Sequence, residues 1–595
     1  MLQSTLLATG VSIGCCGLSA IANPLPSSAE TIDTIGQITT NISVPSKSNN
    51  LAQVTSPQVN PPQEPEPLPD RPLEIPTPDQ LLPGEPAEPT EPTEPADIPE
   101  VPGTIVVTGF EVVGSTVFTA EQLAAVTQPF TDREITFAEL LQARSAITQL
   151  YIDNGYITTG AFIPPQTLSD GIVEIRVVEG SLEDIVITGT RRLNPNYVRS
   201  RLAIATEKPV NRDRLLEALQ LLQLDPLIES LSAELSAGTQ PGENLLSVEV
   251  VEADSFDVNL LADNRRSPSV GSFRRQIELL ERNLFGQGDA ISFAFTNTDG
   301  SGLIDFSYTY PINPRNGTLT FAYSRNNSRV VEEPFSPLDI VANSDYYDFT
   351  WRQPLLQTPV KEFAIGATAS HRQSQASILG IANSLSPGAG LDGRTEVTAL
   401  RLFQEYTKRS NRDVLAFRSQ FSLGSAPFAV TANDEPEDQF FLAWRGQGQY
   451  VNLLAPDTLF ILRADLQLSD RALVPIEQFG IGGQDSVRGY RQDLLLTDNG
   501  LVASAEVRLP IMRIPEVEGL MQLTPFIDFG TGWNNSGRRN PDPNALLGLG
   551  LGLRWQQGDY LTFRLDYGFD LTDANTESNN LQENGLYFSL RWTAF

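Results

Sequence analysis

The stretch LTFRLDYGFDL, residues 561–571, alternates apolar and polar side chains along its whole length. Successive side chains of an extended strand point to opposite faces, so this stretch would have one apolar and one polar face. The apolar face would carry Leu561, Phe563, Leu565, Tyr567, Phe569 and Leu571. The polar face would carry Thr562, Arg564, Asp566, Gly568 and Asp570. Transmembrane β-barrels are built from strands that turn apolar side chains to lipid and polar ones to a lumen, so the pattern predicts a barrel.

The same alternation recurs in segments of about ten residues from position 256 to the end of the chain. It predicts sixteen strands, near residues 256–264, 276–284, 289–297, 302–310, 317–325, 345–353, 361–371, 395–407, 412–424, 438–450, 457–469, 499–509, 520–533, 545–556, 559–571 and 586–595. An even strand number is typical of single-chain bacterial barrels. Connections after even-numbered strands are mostly short, whereas 326–344, 372–394 and 470–498 follow odd-numbered strands and are long. Short turns face the periplasm and long loops face outward in such barrels, so the residues before the barrel would lie in the periplasm.

Charged residues occupy the inward phase of several predicted strands. They are Arg463 and Asp465 on the eleventh strand, Glu506 and Arg508 on the twelfth, and Arg564 and Asp566 on the fifteenth. On the thirteenth strand the apolar phase places Gln522, Thr524 and Asp528 in the lumen. On the fourteenth, the inward phase includes Gly548, Gly550 and Gly552, which would leave room for a loop backbone beside Asp528. The six charged residues on the eleventh, twelfth and fifteenth strands predict a wet channel of mixed charge, and each of them is interpreted as lumen lining rather than as a selectivity element.

Two similar modules precede the barrel, at 103–180 and 181–254. Each opens on a similar strand, IVVTG at 105–109 and IVITG at 185–189. In the first module Thr136 and Glu139 form a capping box ahead of an amphipathic helix, and in the second Asn211 caps a leucine-rich helix. Two further short strands follow the helices in each module. The pattern predicts two small α+β domains of the order β-α-α-β-β.

The first hundred residues predict export and a spacer. Residues 1–22 are largely apolar and end in Ala20-Ile21-Ala22, a cleavage pattern of signal peptides. Cys15 and Cys16 are the only cysteines and lie inside this segment, so the mature chain would have neither disulfides nor cysteine-bound metal. Residues 23–102 are rich in proline and acid, which predicts a disordered linker; a ligand for a proline-binding module is the alternative.

Composition and motifs exclude several classes of function. The net charge is -32 and no basic run occurs, which argues against nucleic acid as a partner. The single histidine, His371, falls at the outer end of a predicted strand, and no G-x-S-x-G motif accompanies it. Neither an enzyme nor a metal site or other cofactor is therefore expected. A diffusion porin would explain the barrel but not the two modules before it.

Two groups of residues resemble a known family. Residues 162–180, FIPPQTLSDGIVEIRVVEG, resemble the end of the first POTRA domain of two-partner secretion transporters, the family of haemolysin activators and of filamentous haemagglutinin secretion proteins. The matching residues are Tyr151, Gly155, Tyr156, Pro164, Pro165, Gln166, Asp170, Gly171, Glu179 and Gly180. Val487-Arg488-Gly489-Tyr490 resembles the signature of the sixth outer loop in that family. The resemblance covers about residues 100–595.

The resemblance implies two POTRA domains followed by a 16-stranded antiparallel transmembrane β-barrel in the bacterial outer membrane. Such a transporter captures a large β-helical exoprotein in the periplasm through its POTRA domains and secretes, and can activate, it through the barrel. In the family the long loop at 470–498 folds back into the barrel, where Arg488 would meet Asp528 of the motif Phe526-Ile527-Asp528. Asp485, close to Arg488 in the loop, has no explanation in the sequence.

A related branch of POTRA-barrel proteins, the outer-membrane assembly insertases, shares these features and is the alternative. Two modules rather than more, and the PPQ ending of the first, favour secretion. Other expected partners are outer-membrane lipid and, during biogenesis, the general barrel assembly machinery, since the last strand ends in Phe595 as assembly signals do. The family often has a plug helix before the first POTRA domain, but residues 23–100 contain no convincing amphipathic helix.

Overall fold

The computed structural model describes residue 81 and residues 104–594, apart from 169, 386, 429–436, 536 and 575–579. The predicted signal peptide, the linker except for one residue, and Phe595 lie outside the described residues. All of the described elements discussed below belong to one compact unit.

The first module contains two strands more than the sequence predicts, one at its start and one between its helices. Its elements are β1 Thr104–Val107, β2 Gly109–Val113, α1 Ala120–Thr127, β3 Arg133–Thr136, α2 Phe137–Asp153, β4 Gly160–Phe162 and β5 Ile172–Val178. The segment predicted as one strand breaks at Thr108, whose N–H donates to Gly171 O at 2.8 Å. Strand β1 then pairs with β3, whereas β2 pairs in parallel with β5. The predicted capping box at Thr136 and Glu139 is present at the start of α2.

The second module has the predicted order. Its elements are β6 Ser181–Thr188, α3 Pro195–Ala205, α4 Arg212–Gln223, β7 Ile228–Ala237 and β8 Glu243–Glu252. The sheet order is β6-β8-β7, and α3 and α4 bury Val198, Leu202, Leu215 and Leu219 in its core. The predicted cap, Asn211, accepts hydrogen bonds from the N–H groups of Asp213 and Arg214 at 3.0 and 3.2 Å. Its Nδ2 also donates to Asn154 O of the first module at 3.0 Å, so one side chain caps a helix and joins two modules.

Asn211→Ala removes both functions at once. Loss of an N-cap costs about 1 kcal/mol, so we expect faster amide hydrogen exchange over Arg212–Gln223 and at the end of α2. Asn211→Ser keeps a capping oxygen but not the donor to Asn154, and should accelerate exchange mainly around Asn154. Equal exchange in the wild type and the Ala variant would show that the cap does not hold this junction.

Leu81 lies within the segment predicted to be a disordered linker. It is helical, its side chain is 1% exposed, and it belongs to the apolar cluster of the second module. Burying one leucine side chain contributes about 1.5–3 kcal/mol. At this one residue the structure differs from the predicted disordered linker, because Leu81 is apolar and packs into the core of the second module.

Sixteen strands close into an antiparallel barrel within the described part of the chain, as predicted. They are β9 Phe256–Asp263, β10 Arg274–Glu281, β11 Ala290–Asn297, β12 Ser301–Pro311, β13 Thr318–Arg329, β14 Val341–Gln357, β15 Lys361–Ile378, β17 Arg394–Arg409, β18 Asp413–Phe428, β19 Glu437–Ala455, β20 Thr458–Ser469, β23 Asn499–Ile514, β24 Gly519–Trp533, β25 Ala545–Gln557, β26 Leu561–Asp570 and β27 Leu586–Thr593. The two-residue strand β16, Ile381–Ala382, pairs beside β15 outside this count. Pairing of β27 with β9 closes the ring.

The predicted faces are present on β26. Phe563, Tyr567 and Phe569 are 37–52% exposed on the outside, whereas Asp566 is fully buried. An outward apolar face and an inward polar face are what a barrel in lipid requires. No helix among the described residues is long and apolar enough to cross a membrane.

The turn before α3 attaches the second module to the end of the barrel at which β10 ends. The carboxylate of Glu252 accepts hydrogen bonds from the backbone N–H groups of Arg191, Arg192 and Leu193 at 2.5, 3.0 and 2.9 Å. Burial raises the pKa of Glu252, but these backbone donors outweigh it and leave the pKa below its ordinary value. The guanidinium of Arg192 then donates to Glu281 at the end of β10 at 3.1 Å. Hydrogen bonds to one carboxylate thus hold the turn whose arginine reaches the barrel.

Candidate functional site

The long connection between β20 and β23 lies inside the barrel. It contains the short hairpin β21 Phe479–Ile481 and β22 Leu495–Thr497. Its apolar residues form a buried cluster with inward-facing side chains of the wall. The members of this cluster are Phe479, Ile481, Val487, Tyr490, Leu494, Leu495, Val502 and Leu546. The lumen is therefore occupied by a folded loop.

Arg488 at the tip of the loop contacts Asp528 on β24. The Nε and Nη2 atoms of Arg488 donate to the two carboxylate oxygens of Asp528 at 2.7 and 2.8 Å, and its backbone N–H donates at 3.1 Å. Both side chains are at most 4% exposed. Ser504 Oγ donates to the same carboxylate at 2.6 Å, and the ring of Phe526 lies 3.4 Å below the guanidinium. A bidentate arginine–carboxylate pair fixes both position and orientation.

A second carboxylate shares this arginine. Arg488 Nη1 donates to Glu506 on β23 at 2.9 Å, and Glu506 also accepts from Arg508 at 3.1 Å and Arg564 at 2.6 Å. Arg564 continues to Asp566 at 2.6 Å. The structure thus brings four of the six residues interpreted as lumen lining into one charged network around the loop tip. Alternating charges compensate one another there, which a buried charge requires.

Arg463 and Asp465 form their hydrogen bonds with side chains of β19. Arg463 Nε donates to Gln449 at 2.8 Å, and Asp465 accepts from Arg445 at 3.0 and 2.6 Å. These contacts join neighbouring strands of the wall. The interpretation of both residues as lumen lining stays a prediction.

The other residues of the loop signature hold the backbone around Arg488. Val487 is fully buried in the apolar cluster. The N–H of Gly489 donates to the Tyr587 hydroxyl at 2.9 Å, and that hydroxyl donates to Tyr490 O at 2.5 Å. The Tyr490 hydroxyl donates to Leu547 O at 2.9 Å. Each signature residue therefore has its own contact with the wall.

Two wall glycines leave space for the loop backbone. A Cβ at Gly548 would overlap the carbonyl oxygen of Arg488, and one at Gly568 would lie 2.6 Å from the N atom of Gly489. Gly550 and Gly552, the other inward glycines of β25, instead accommodate the side chains of Phe526 and Asp566. Of the three glycines considered in the sequence, only Gly548 meets the loop.

Asp485 now has a partner. Its carboxylate lies 3.0 Å from Arg265, which follows β9, and Arg265 also donates to Gln484 at 3.0 Å. Gln484 donates in turn to Asp566 at 3.1 Å. The acid beside the signature thus connects the loop to the connection between β9 and β10.

The POTRA motif residues support the first module internally. Pro164 and Pro165 lie in the connection between β4 and β5. The side-chain amide of Gln166 donates to the carbonyl of Glu174 and accepts from its N–H, both at 2.8 Å. Asp170 and Gly171 both have positive φ, at 57° and 74°, and form the turn into β5. Gln166, Asp170 and Gly171 therefore fix how β5 enters the sheet.

Glu179 and Gly180 end that module. The carboxylate of Glu179 accepts from the N–H and hydroxyl of Thr116, both at 2.6 Å, and lies 3.0 Å from the hydroxyl of Tyr151. Burial, followed by the contact with Glu179, raises the pKa of Tyr151 to about 12. Gly180 O accepts from the N–H of Val210 in the second module at 2.9 Å. The motif therefore organises the module and its junction.

The sequence missed three contributions to the loop site. Phe526 stands at an inward position of β24, and an aromatic residue in a polar lumen is the signal that could have identified it. Glu506 was interpreted as lining, since nothing in one strand shows that a distant loop reaches it. Tyr587 is buried at an inward position of β27. A buried tyrosine hydroxyl usually has a hydrogen-bond partner, and this is the signal that could have identified Tyr587. Among the described residues no group of three or more His, Cys, Asp and Glu could hold a metal ion.

Comparison with known proteins agrees with this architecture. Residues 105–180 match the family of POTRA domains of ShlB type, and residues 242–555 match the family of haemolysin secretion/activation proteins ShlB/FhaC/HecB. The chain is 22% identical over 433 residues to the outer membrane transporter CdiB of Dickeya dadantii, which covers 71% of this chain and 75% of that protein. It is 21% identical over 452 residues to the heme/hemopexin transporter protein HuxB of Haemophilus influenzae, with 73% and 78% covered.

The fold is similar to that of CdiB from Escherichia coli. The TM-score is 0.62 at 18% identity, over 84% of this chain and 92% of that one. CdiB from Acinetobacter baumannii gives a TM-score of 0.58 at 18% identity, over 82% and 90%. At this identity the similarity shows a shared fold.

Proposed function

Because the chain belongs to the haemolysin secretion/activation family and is an outer-membrane transporter of the two-partner secretion type, we propose a capture step for its secreted partner protein. The two POTRA domains capture an extended segment of that partner in the periplasm and deliver it to the barrel. The contact between Arg488 and Asp528 keeps the long loop in the lumen until export begins. The family function is transport, and the proposal contains no catalytic step.

The observation that carries the proposed capture is the edge of β7 that faces away from β8. The side chain of Gln223 hydrogen-bonds to Glu229 O at 2.9 Å and to Leu231 N at 3.0 Å on this edge, and the residues after Leu231 have no strand partner there among the described residues. Within the described part of the chain β7 pairs with β8 alone, over a strand of ten residues. An exposed strand edge presents unpaired N–H and C=O groups, to which an extended chain can add as another strand. Such pairing draws affinity from the main chain, so it tolerates the varied sequence of a long substrate.

Deletion of the gene tests the transport step. We expect one large species to disappear from the secreted proteins while other outer-membrane proteins remain at normal abundance. A general loss of barrel proteins would instead indicate an assembly insertase and would overturn the proposal.

Cysteine cross-linking tests the capture step, using the secreted species that the deletion identifies. We expect a cysteine at Ser230 or Ser236 of β7 to form disulfides with cysteines placed along that partner. Asp213, exposed on α4, provides the matched position that should remain unreactive. Equal cross-linking at all three positions would rule out specific pairing at this edge.

A further inference from the structure

The first limb of the long loop, the segment between β20 and β21, has its own buried ion cluster around Glu477. Arg372 Nη1 lies 2.8 Å from Glu477 Oε1. Arg401 donates to both oxygens of the same carboxylate, at 2.8 and 3.1 Å. The three side chains are only 4–9% exposed. One loop carboxylate thus compensates two arginines of the wall, which would otherwise repel each other.

Backbone and apolar contacts hold the same limb. Arg372 also donates to Ile476 O at 3.4 Å, and Gln467 donates to Glu477 O at 3.0 Å. Leu473 and Val474 are at most 2% exposed and pack on inward-facing side chains of the wall. Those wall residues are Val397, Ala399, Ala426, Phe441 and Ala443. The first limb is therefore fixed to the barrel wall by apolar packing as well as by ion pairs. This attachment around Glu477 is one foothold of the loop, and the Arg488 network is the other.

This foothold lies on a different part of the wall from the Arg488 network. Arg372 and Arg401 belong to β15 and β17, the seventh and eighth strands of the barrel, whereas Glu506 and Asp528 belong to β23 and β24, the twelfth and thirteenth. Strands β18, β19 and β20 separate the two groups. Their apolar clusters share no residue. The charges are also reversed, since the loop provides the anion at one foothold and the cation at the other.

We propose that Glu477 is a positioning residue that anchors the first limb of the loop to β15 and β17 independently of Arg488. The two footholds stretch the loop across the lumen, so release of the tip alone leaves the first limb in place. For its role in export this inference rests on the proposed function of the loop, but the anchoring itself does not.

Labelling of single cysteines in the purified full-length protein, without any partner, tests the anchoring. In a background with Cys15 and Cys16 replaced by Ser, a cysteine replaces either Ile476 in the first limb or Val487 at the tip. Maleimide reaction rates then report which limb leaves the wall. We expect Glu477→Gln to raise the rate at position 476 severalfold and to leave the rate at 487 unchanged, and Arg488→Ala to do the reverse.

Two further variants complete the experiment. Glu516→Gln, at an exposed glutamate in a periplasmic turn, should change neither rate. Arg401→Gln leaves Glu477 paired with Arg372 and should give a smaller rise at 476 in a folded barrel even where Glu477→Gln does not assemble. The proposal is overturned if the labelling rate at position 476 is unchanged in both Glu477→Gln and Arg401→Gln. It is also overturned if the rates at positions 476 and 487 rise in parallel. Because no partner is present, a failure of capture by the POTRA domains does not affect these outcomes.

Discussion

Asp528→Ala is expected to reduce export of the partner to a small fraction of the wild-type level. The substitution leaves the guanidinium of Arg488 buried, and it deprives the arginine backbone N–H of its acceptor as well. Removing one member of a buried ion pair costs about 3–5 kcal/mol, which is ample to shift the equilibrium from a docked to a released loop. Arg488→Ala should have a similar effect, and the double variant should be little worse than either single one, because the two residues act as a pair.

The measurement is the amount of partner in the medium, together with the heat-dependent gel mobility that distinguishes folded from unfolded barrels. Asp457→Ala is the matched control, since Asp457 also pairs with an arginine at 2.7 Å but in the short turn between β19 and β20. Normal export by both Asp528→Ala and Arg488→Ala would remove the anchor from the mechanism. A loss of folded barrel in these variants would assign the pair to stability instead.

Gly548→Ala and Gly568→Ala should displace the loop tip without altering any charge. The added methyl group would overlap the backbone at Arg488 or Gly489, and backbone atoms cannot move aside as the end of a flexible side chain can. Overpacking of this kind typically costs about 1–3 kcal/mol. We expect reduced export in both variants and, by maleimide labelling of a cysteine at Val487, greater exposure of the tip.

Gly302→Ala is the control for the glycine variants. Gly302 also lies on a barrel strand, β12, but a Cβ there would have nothing within 4 Å. Its export and labelling should equal those of the wild type. If the Gly548 and Gly568 variants behaved like Gly302→Ala, the close approach of loop and wall would have no functional weight.

Local patterns in the sequence were sufficient for the barrel. In a strand that faces lipid on one side and a polar lumen on the other, apolar and polar residues alternate, so β26 and β24 could be assigned from their own sequences. The inward position of Asp528 followed from the same rule, and its link to Arg488 came from the resemblance to a family. The periodicity of one strand does not indicate which distant side chains contact it. This is why Glu506 and Tyr587 were not connected with the loop.

The differences between prediction and structure before the barrel have physical causes. The break between β1 and β2 depends on Thr108 donating to the turn before β5, a contact across more than sixty residues of chain. The buried position of Leu81 depends on an apolar surface that another module provides. Composition averages over such single contacts, and it therefore does not predict the burial of Leu81.

The apolar cluster that seats the loop tip also opposes spontaneous release of the loop. If the tip left the lumen spontaneously, Phe479, Ile481 and Val487 would face water, at about 1.5–3 kcal/mol for each side chain. An empty transporter would therefore seldom open, which protects the permeability barrier of the outer membrane. An arriving polypeptide with apolar side chains could cover the same surfaces and lower that cost, so that opening would be coupled to the arrival of cargo.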